Sequence, residues 1–195
     1  GRLGTGGAGT LGLNPAHCTR PSVVIIASTI ALYAEEVYRH GLTVVTVATR
    51  RMGPATLNPA IKSLNYLNNV LARIEANLAN ADEALMLNDA GNIAECTADN
   101  VFIVKRGQIM TPPIQAAALR GINRAVVFDT AAEAGRKRFV PGLTRHDVYM
   151  TREALLPSPT GAGASVAKDD GRTVVGGGTH RTPQRQGAIC RNGFS

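Results

Sequence analysis

Leucine and isoleucine recur at helical spacing at Leu64, Leu67, Leu71, Ile74 and Leu78, which predicts an amphipathic helix over residues 63–79. A helix of that length has to lay its apolar stripe on something, so this stretch constrains the fold more than any other. Two β-branched runs of strand length precede it, at residues 22–27 (SVVIIA) and 42–49 (LTVVTVAT). Between them residues 33–41 read as a short helix closed by Gly41, and after them residues 50–59 read as a loop punctuated by Gly53, Pro54 and Pro59.

Downstream, residues 83–87 and 93–95 flank the turn Asn88-Asp89-Ala90-Gly91-Asn92 and read as a hairpin. Residues 101–104 and 109–111 flank Gly107 and read as a second. The two hairpins predict an antiparallel sheet. Pro112-Pro113 ends it, and Gly121-Ile122-Asn123 opens a helix that runs to Gly135, a natural left-handed stop. Beyond Thr160 the chain is rich in Gly, Arg and Thr, and the pattern defines no packed element. Helices and strands together give an α+β, or mixed α/β, fold class.

At 195 residues the chain is long enough for one good core or two small domains. Its longest apolar run, residues 23–32, is broken by Ser28 and Thr29 and is too short to span a bilayer. The N-terminus lacks a basic flank and apolar stretch, so the expected location is cytoplasmic, with no membrane partner. Cys18, Cys96 and Cys190 are odd in number and scattered, which predicts free thiols and no metal site. Much of the net charge of +7 comes from Arg136-Lys137-Arg138 and from Arg172, Arg181, Arg185 and Arg191. The aromatic residues are not interleaved with these cations as stacking platforms would be, so a solvated surface, and no nucleic-acid partner, is expected. Gly4-x-Gly6-x-x-Gly9 has the spacing of a dinucleotide fingerprint but neither the strand before it nor the helix after it, and reads as a loop.

Three positions carry chemistry. Lys62 stands where the apolar helix begins, and apolar neighbours would favour its neutral amine, the form that adds to a carbonyl. The alternative is an ammonium that snorkels to water from the first helical turn. Glu95 ends a hairpin strand, where it is either a surface charge or an inward carboxylate that needs a cationic or protonated partner. Gly121-Ile122-Asn123 is either a plain cap or a set of free backbone N–H groups suited to a phosphate. An amine for an aldehyde, a carboxylate for a pyridinium nitrogen and a phosphate cradle match the three handles of pyridoxal 5'-phosphate.

At these residues the sequence resembles the class IV, or fold-type IV, pyridoxal-phosphate aminotransferases, and most closely the branched-chain amino-acid aminotransferases. The resemblance runs from about Arg2 to Tyr149, through GTLGLNP at residues 9–15, IKSLNYLNNVLARIEA, ADEALMLNDAGNIAE, DNVFIVKRGQIMTPP, ALRGINR and LTRHD. It implies that Lys62 forms the Schiff base, that Tyr66 lies near the ring oxygen, that Glu95 pairs with the pyridine nitrogen, and that Gly121, Ile122 and Asn123 hold the phosphate. It also implies substrate binding by Arg2 and by Tyr33, amino transfer from leucine, isoleucine or valine to 2-oxoglutarate, and a homodimer.

By the same likeness the fold is that of a D-amino-acid aminotransferase-like large domain with a remnant of the small domain. Residues 1–32 would be the remnant and its connection, residues 33–175 the cofactor-binding domain, and residues 176–195 a divergent tail. Cys96 stands where the family usually has glycine, Asn123 where it has threonine, and most of the smaller N-terminal domain has no counterpart, which implies impaired activity. An aminodeoxychorismate lyase or D-amino-acid transaminase of the same fold, or a non-catalytic fragment, are the alternative readings.

Overall fold

The structure is a computed structural model that describes residues 2–28, 35–157 and 163–174. It divides into two compact units, Gly1–Ala31 and Leu32–Ser195. Tyr33 and residues 176–195 lie outside the described residues.

In the first unit β1 (Arg2–Thr5) pairs antiparallel with β2 (Ser22–Ile25), with Arg2 opposite Ile25. The glycine-rich start read as a loop therefore begins as a strand. Gly4 hides it from any propensity count, and the ladder to the β-branched β2 supplies the pairing that its own side chains do not advertise. The glycine fingerprint is followed by a three-residue 3-10 turn, Pro15–His17, capped by the Asn14 side chain, and by no helix N-terminus.

The second unit opens with α1 (Glu35–His40), which Gly41 ends at φ +82°, its N–H bonded to Val37 O at 2.8 Å. Next come β3 (Leu42–Thr46), α2 (Leu67–Leu78), β4 (Glu83–Leu87), β5 (Ile93–Cys96), β6 (Phe102–Lys105) and β7 (Gln108–Met110). Then follow α3 (Ile122–Glu133), β8 (Arg138–Phe139), α4 (Arg145–Tyr149), β9 (Glu153–Pro157), β10 (Gly163–Asp169) and β11 (Arg172–Thr173). Both expected hairpins form, β4 with β5 and β6 with β7. So does the helix before Gly135, which takes φ +64°.

The sheet is mixed, not antiparallel. Its order is β5-β4-β3-β10-β9-β6-β7-β8, with β11 on β10, and the pairs β3–β4, β3–β10 and β7–β8 are parallel. Parallel neighbours need a crossover, and α2 provides one between β3 and β4; hairpin signals alone reveal only the antiparallel half. β10, where the sequence pattern defined nothing, lies near the centre of the sheet. Ala164 and Val166 alternate into the core there, but flanking Gly163 and Lys168 dilute the signal. Leu42, Val44, Leu85, Ile103 and Leu156 join them in one buried cluster.

α2 departs from expectation twice. It starts at Leu67 rather than near Ser63, because Ser63 N–H bonds to Ile61 O at 2.8 Å and Asn65 N–H to Ser63 Oγ at 3.3 Å in a non-helical entry. Its buried residues are Asn69, Ala72 and Ala76, while Leu67 is 66% and Leu78 80% exposed. Alanines bring the helix close to Ala84 and Met86 of β4, and the large apolar side chains face outward. Among the described residues no helix is long and apolar enough to cross a membrane, and Cys18 and Cys96 are free.

Asp169 ends β10 buried, with Oδ1 lacking a hydrogen-bond partner. Burial first, and the Asp170 charge second, push its carboxyl up to about 6, against the pull of Arg145 and Arg172. That lies above the unfolded value of about 3.9, so the folded chain is favoured by the extra proton at low pH. The advantage is full below the unfolded value and is lost as pH rises through about 6. Asp169→Asn should therefore raise the urea midpoint at pH 7 and change it little near pH 4; equal changes at both would remove Asp169 from the pH dependence.

Candidate active site

Lys62, Tyr66 and Glu95 line one cleft in the second unit, together with Arg51, Asn69 and Leu119. Lys62 Nζ lies 3.3 Å from the Tyr66 hydroxyl and 6.0 Å from the centre of its ring. The lysine is exposed, and its neighbours Ile61 and Leu64 are 64% and 62% exposed, so the dehydrated amine expected from the sequence is corrected. The helix begins after Lys62, and its apolar face turns outward, so its large side chains do not enclose the lysine.

Glu95 is the inward alternative. It is 5% exposed, on β5, whose residues are all buried. Strand alternation sends its neighbour Cys96 to the opposite face, into the hydrophobic core, where burial above all pushes the thiol well up. Burial likewise raises the Glu95 carboxyl, opposed by the Arg51 charge, the Leu119 N–H, the Arg51 hydrogen bond and the Lys62 charge.

The required cation is Arg51, in the loop that follows β3. Its Nη2 sits 2.8 Å and its Nε 3.0 Å from Glu95 Oε1. Its Nη1 donates to Asn69 Oδ1 at 2.7 Å, and Asn69 Nδ2 donates to Thr97 O at 2.6 Å. Three side chains of α2 fix the loop that presents Arg51. Besides Asn69, Glu75 accepts from Ala48 and Thr49 N–H at 2.6 and 3.0 Å, and Asn68 accepts from Met52 N–H and donates to Arg50 O. The Thr49 hydroxyl bond, first, and these N–H bonds hold Glu75 below the usual carboxylate range against the effect of burial. The signal for Arg51 was present: an inward glutamate needs a buried cation, and Arg51 follows a strand.

Glu95 Oε2 faces the other way. It accepts from Leu119 N–H at 2.8 Å and from Asn100 Nδ2 at 3.4 Å, and Asn100 also donates to Leu119 O at 3.0 Å. A Cβ on Gly121 would run into Asn100 Oδ1, so any larger residue there requires the Asn100 side chain to shift. Gly121 is the N-cap of α3 with no side-chain cap bond, and the first-turn N–H groups of Ile122 and Asn123 have no intrahelical acceptor. Gly121, Ile122 and Asn123 do not line the Lys62 cleft, but Asn100 joins them to it. Arg2 is exposed on β1 of the first unit, and among the described residues no group of three or more side chains could hold a metal.

The mixed sheet that carries this cleft is the fold of the solved fold-type IV aminotransferases, to which the comparisons lead. The family model for class IV amino-transferases matches residues 3–146, most of the chain, and the chain belongs to the class IV aminotransferase family. A Methanocaldococcus jannaschii protein named "Putative branched-chain-amino-acid aminotransferase" is 43% identical over 171 residues, which cover 87% of this chain and 58% of that one. The branched-chain-amino-acid aminotransferase of Pseudomonas aeruginosa is 35% identical over 157 residues, 80% of this chain and 51% of that protein.

Among solved structures the Escherichia coli branched-chain amino acid aminotransferase matches with a TM-score of 0.88 at 27% identity, over 95% of this chain and 62% of that one. The branched-chain amino acid aminotransferase from Thermobaculum terrenum, in its PLP-bound holo-form, matches at 0.73 and 28% identity, over 81% of this chain and 52% of that one. The chain thus spans little more than half the length of these two relatives.

Because the space for a Cβ at Gly121 is filled by Asn100, Gly121→Ala should push Asn100 off Leu119 and cost about 1–3 kcal/mol. Urea unfolding measures this, and an unchanged midpoint would show that Asn100 has room to move.

Proposed function

We propose that this chain carries the cofactor-binding site of a pyridoxal 5'-phosphate-dependent aminotransferase that moves an amino group between a branched-chain amino acid and 2-oxoglutarate. The observation that carries this reading is the joint lining of one cleft by the Lys62 amine, the Tyr66 hydroxyl and the buried Glu95 carboxylate. The donor set fits the cofactor: an amine for its aldehyde, a buried acceptor for its ring nitrogen and, at Gly121, Ile122 and Asn123, N–H groups for its phosphate. The names of the similar proteins support the substrate class.

When bound, pyridoxal phosphate supplies an aldehyde and a ring that accepts the electron pair left when the substrate carbon loses its proton. Lys62 Nζ serves as the base that takes that proton and as the acid that returns one. The Tyr66 hydroxyl, 3.3 Å away, orients Nζ. Glu95 keeps a proton at the ring nitrogen, and Arg2 and Tyr33 bind substrate.

Borohydride reduction in the presence of pyridoxal phosphate, followed by peptide mapping, should place the label on Lys62. Label on Lys105, Lys137 or Lys168 with none on Lys62 would sink the assignment.

The same reading includes a homodimer, and α2 with the turn before it offers a surface for it. Leu64, Leu67, Leu71, Ile74 and Leu78 are 48–80% exposed along one stripe, a patch that a second copy could cover. Ile74→Glu should convert a sedimenting dimer to monomer while leaving the circular dichroism spectrum unchanged; a dimer that survives would move the interface elsewhere.

A further inference from the structure

Glu95 is held by more than a ring nitrogen would ask of it. Burial alone would drive this side chain to take up a proton, because a carboxylate out of water loses its hydration. A neutral acid cannot stabilise a positive ring nitrogen. Something must keep the charge on Glu95, and the cleft contains a residue built for that.

We propose that Arg51 is a positioning residue that acts through Glu95, holding its carboxylate charged and fixing which of its oxygens remains available to the cleft. The proposal rests on the cofactor reading above. Two nitrogens of the guanidinium, Nε at 3.0 Å and Nη2 at 2.8 Å, converge on Oε1 alone. They leave Oε2 to the Leu119 N–H at 2.8 Å and to Asn100 at 3.4 Å, and that last contact is long enough to yield to a better donor. A carboxylate has about four acceptor positions, two on each oxygen, so with both on Oε1 taken by Arg51 the position now held by the long Asn100 contact on Oε2 is the one that can be given up.

Arg51 is itself immobilised. It is 7% exposed, its backbone N–H bonds to Leu87 O at 2.8 Å, and Nη1 is fixed on Asn69, a buried residue of α2. The other groups facing Glu95 are the Lys62 ammonium, the Leu119 N–H and the Asn100 amide, and the thiol of Cys96 follows it along the strand. Lys62 is exposed and is the reacting amine in the reading above, so its charge is not a constant one; the charge on Arg51 is.

Infrared titration of the folded chain without cofactor, with labelled glutamate and Glu95→Gln as the blank, follows the Glu95 carboxyl directly. Arg51→Met should move its protonation midpoint upward, and Arg51→Lys should move it less, because a lysine restores the charge but not the fork. An unchanged midpoint in folded Arg51→Met overturns the proposal, since a purely structural arginine would alter stability without altering that titration.

If Arg51→Met does not fold, the double variant Arg51→Met/Glu95→Gln decides. Recovered folding shows that the unpaired carboxylate was the fault, and continued unfolding overturns the proposal. In the cofactor-loaded chain the absorbance titration should shift in Arg51→Met as well. A chain that never takes up pyridoxal phosphate sinks the cofactor reading while the infrared result on Arg51 stands.

Discussion

A carboxylate inside a folded chain has to be paired, and the Arg51–Glu95 ion pair is the contact around which the second unit arranges its site. Its partners come from separate elements. Glu95 belongs to β5 and Arg51 to the loop that leaves β3, with β4 between them in the sheet. Arg51 N–H continues the pairing by bonding to Leu87 at the end of β4, so the loop is held to the strand it has just passed. The guanidinium then reaches across to β5 while α2 steadies it from behind through Asn69. Loss of either Arg51 or Glu95 would leave the other charge buried without its partner, which costs far more than the bond itself contributes.

This demand explains why α2 lies the way it does. Its inner face carries Asn69, Ala72 and Ala76, a polar side chain for the arginine and two small ones for close approach to β4. Glu75 and Asn68 flank that face and cap the loop N–H and C=O groups that no strand satisfies. An inner face used for positioning has no room for leucine. The large apolar residues are displaced to the outside, where they form an exposed stripe.

The same logic separates what was legible in the sequence from what was not. Hairpins announce themselves locally, through Asn88 to Asn92 and through Gly107, and both formed as read. The α3 boundaries followed from Gly121 and Gly135. Parallel pairing joins residues well apart in the chain, and the central place of β10 depends on residues more than a hundred positions apart, such as Val44 beside Asp169; no local pattern reports them. α2 misled because periodicity identifies an apolar face without saying whether the chain's own sheet or another surface covers it. Lys62 and Glu95 were legible as chemistry and Tyr66 through the family resemblance, and the three share a cleft; Arg51 was legible only as the cation an inward Glu95 demands, and Asn69 and Asn100 not at all, because they matter only through the company the fold gives them.

Two parts of the second unit meet at the second oxygen of Glu95. Leu119 N–H and the Asn100 amide both approach Oε2, and Asn100 also donates to Leu119 O, so the stretch ahead of α3 is tied to β5 by a closed set of bonds. Asn100 then occupies the space where a Cβ on Gly121 would lie, which sets how closely the start of α3 can approach. Arg51 holds one oxygen of that carboxylate and Leu119 the other, so the separation between the carboxylate and the N–H groups at α3 is built into the fold before any ligand arrives. Such preorganisation is what lets binding free energy go into chemistry rather than into ordering the site.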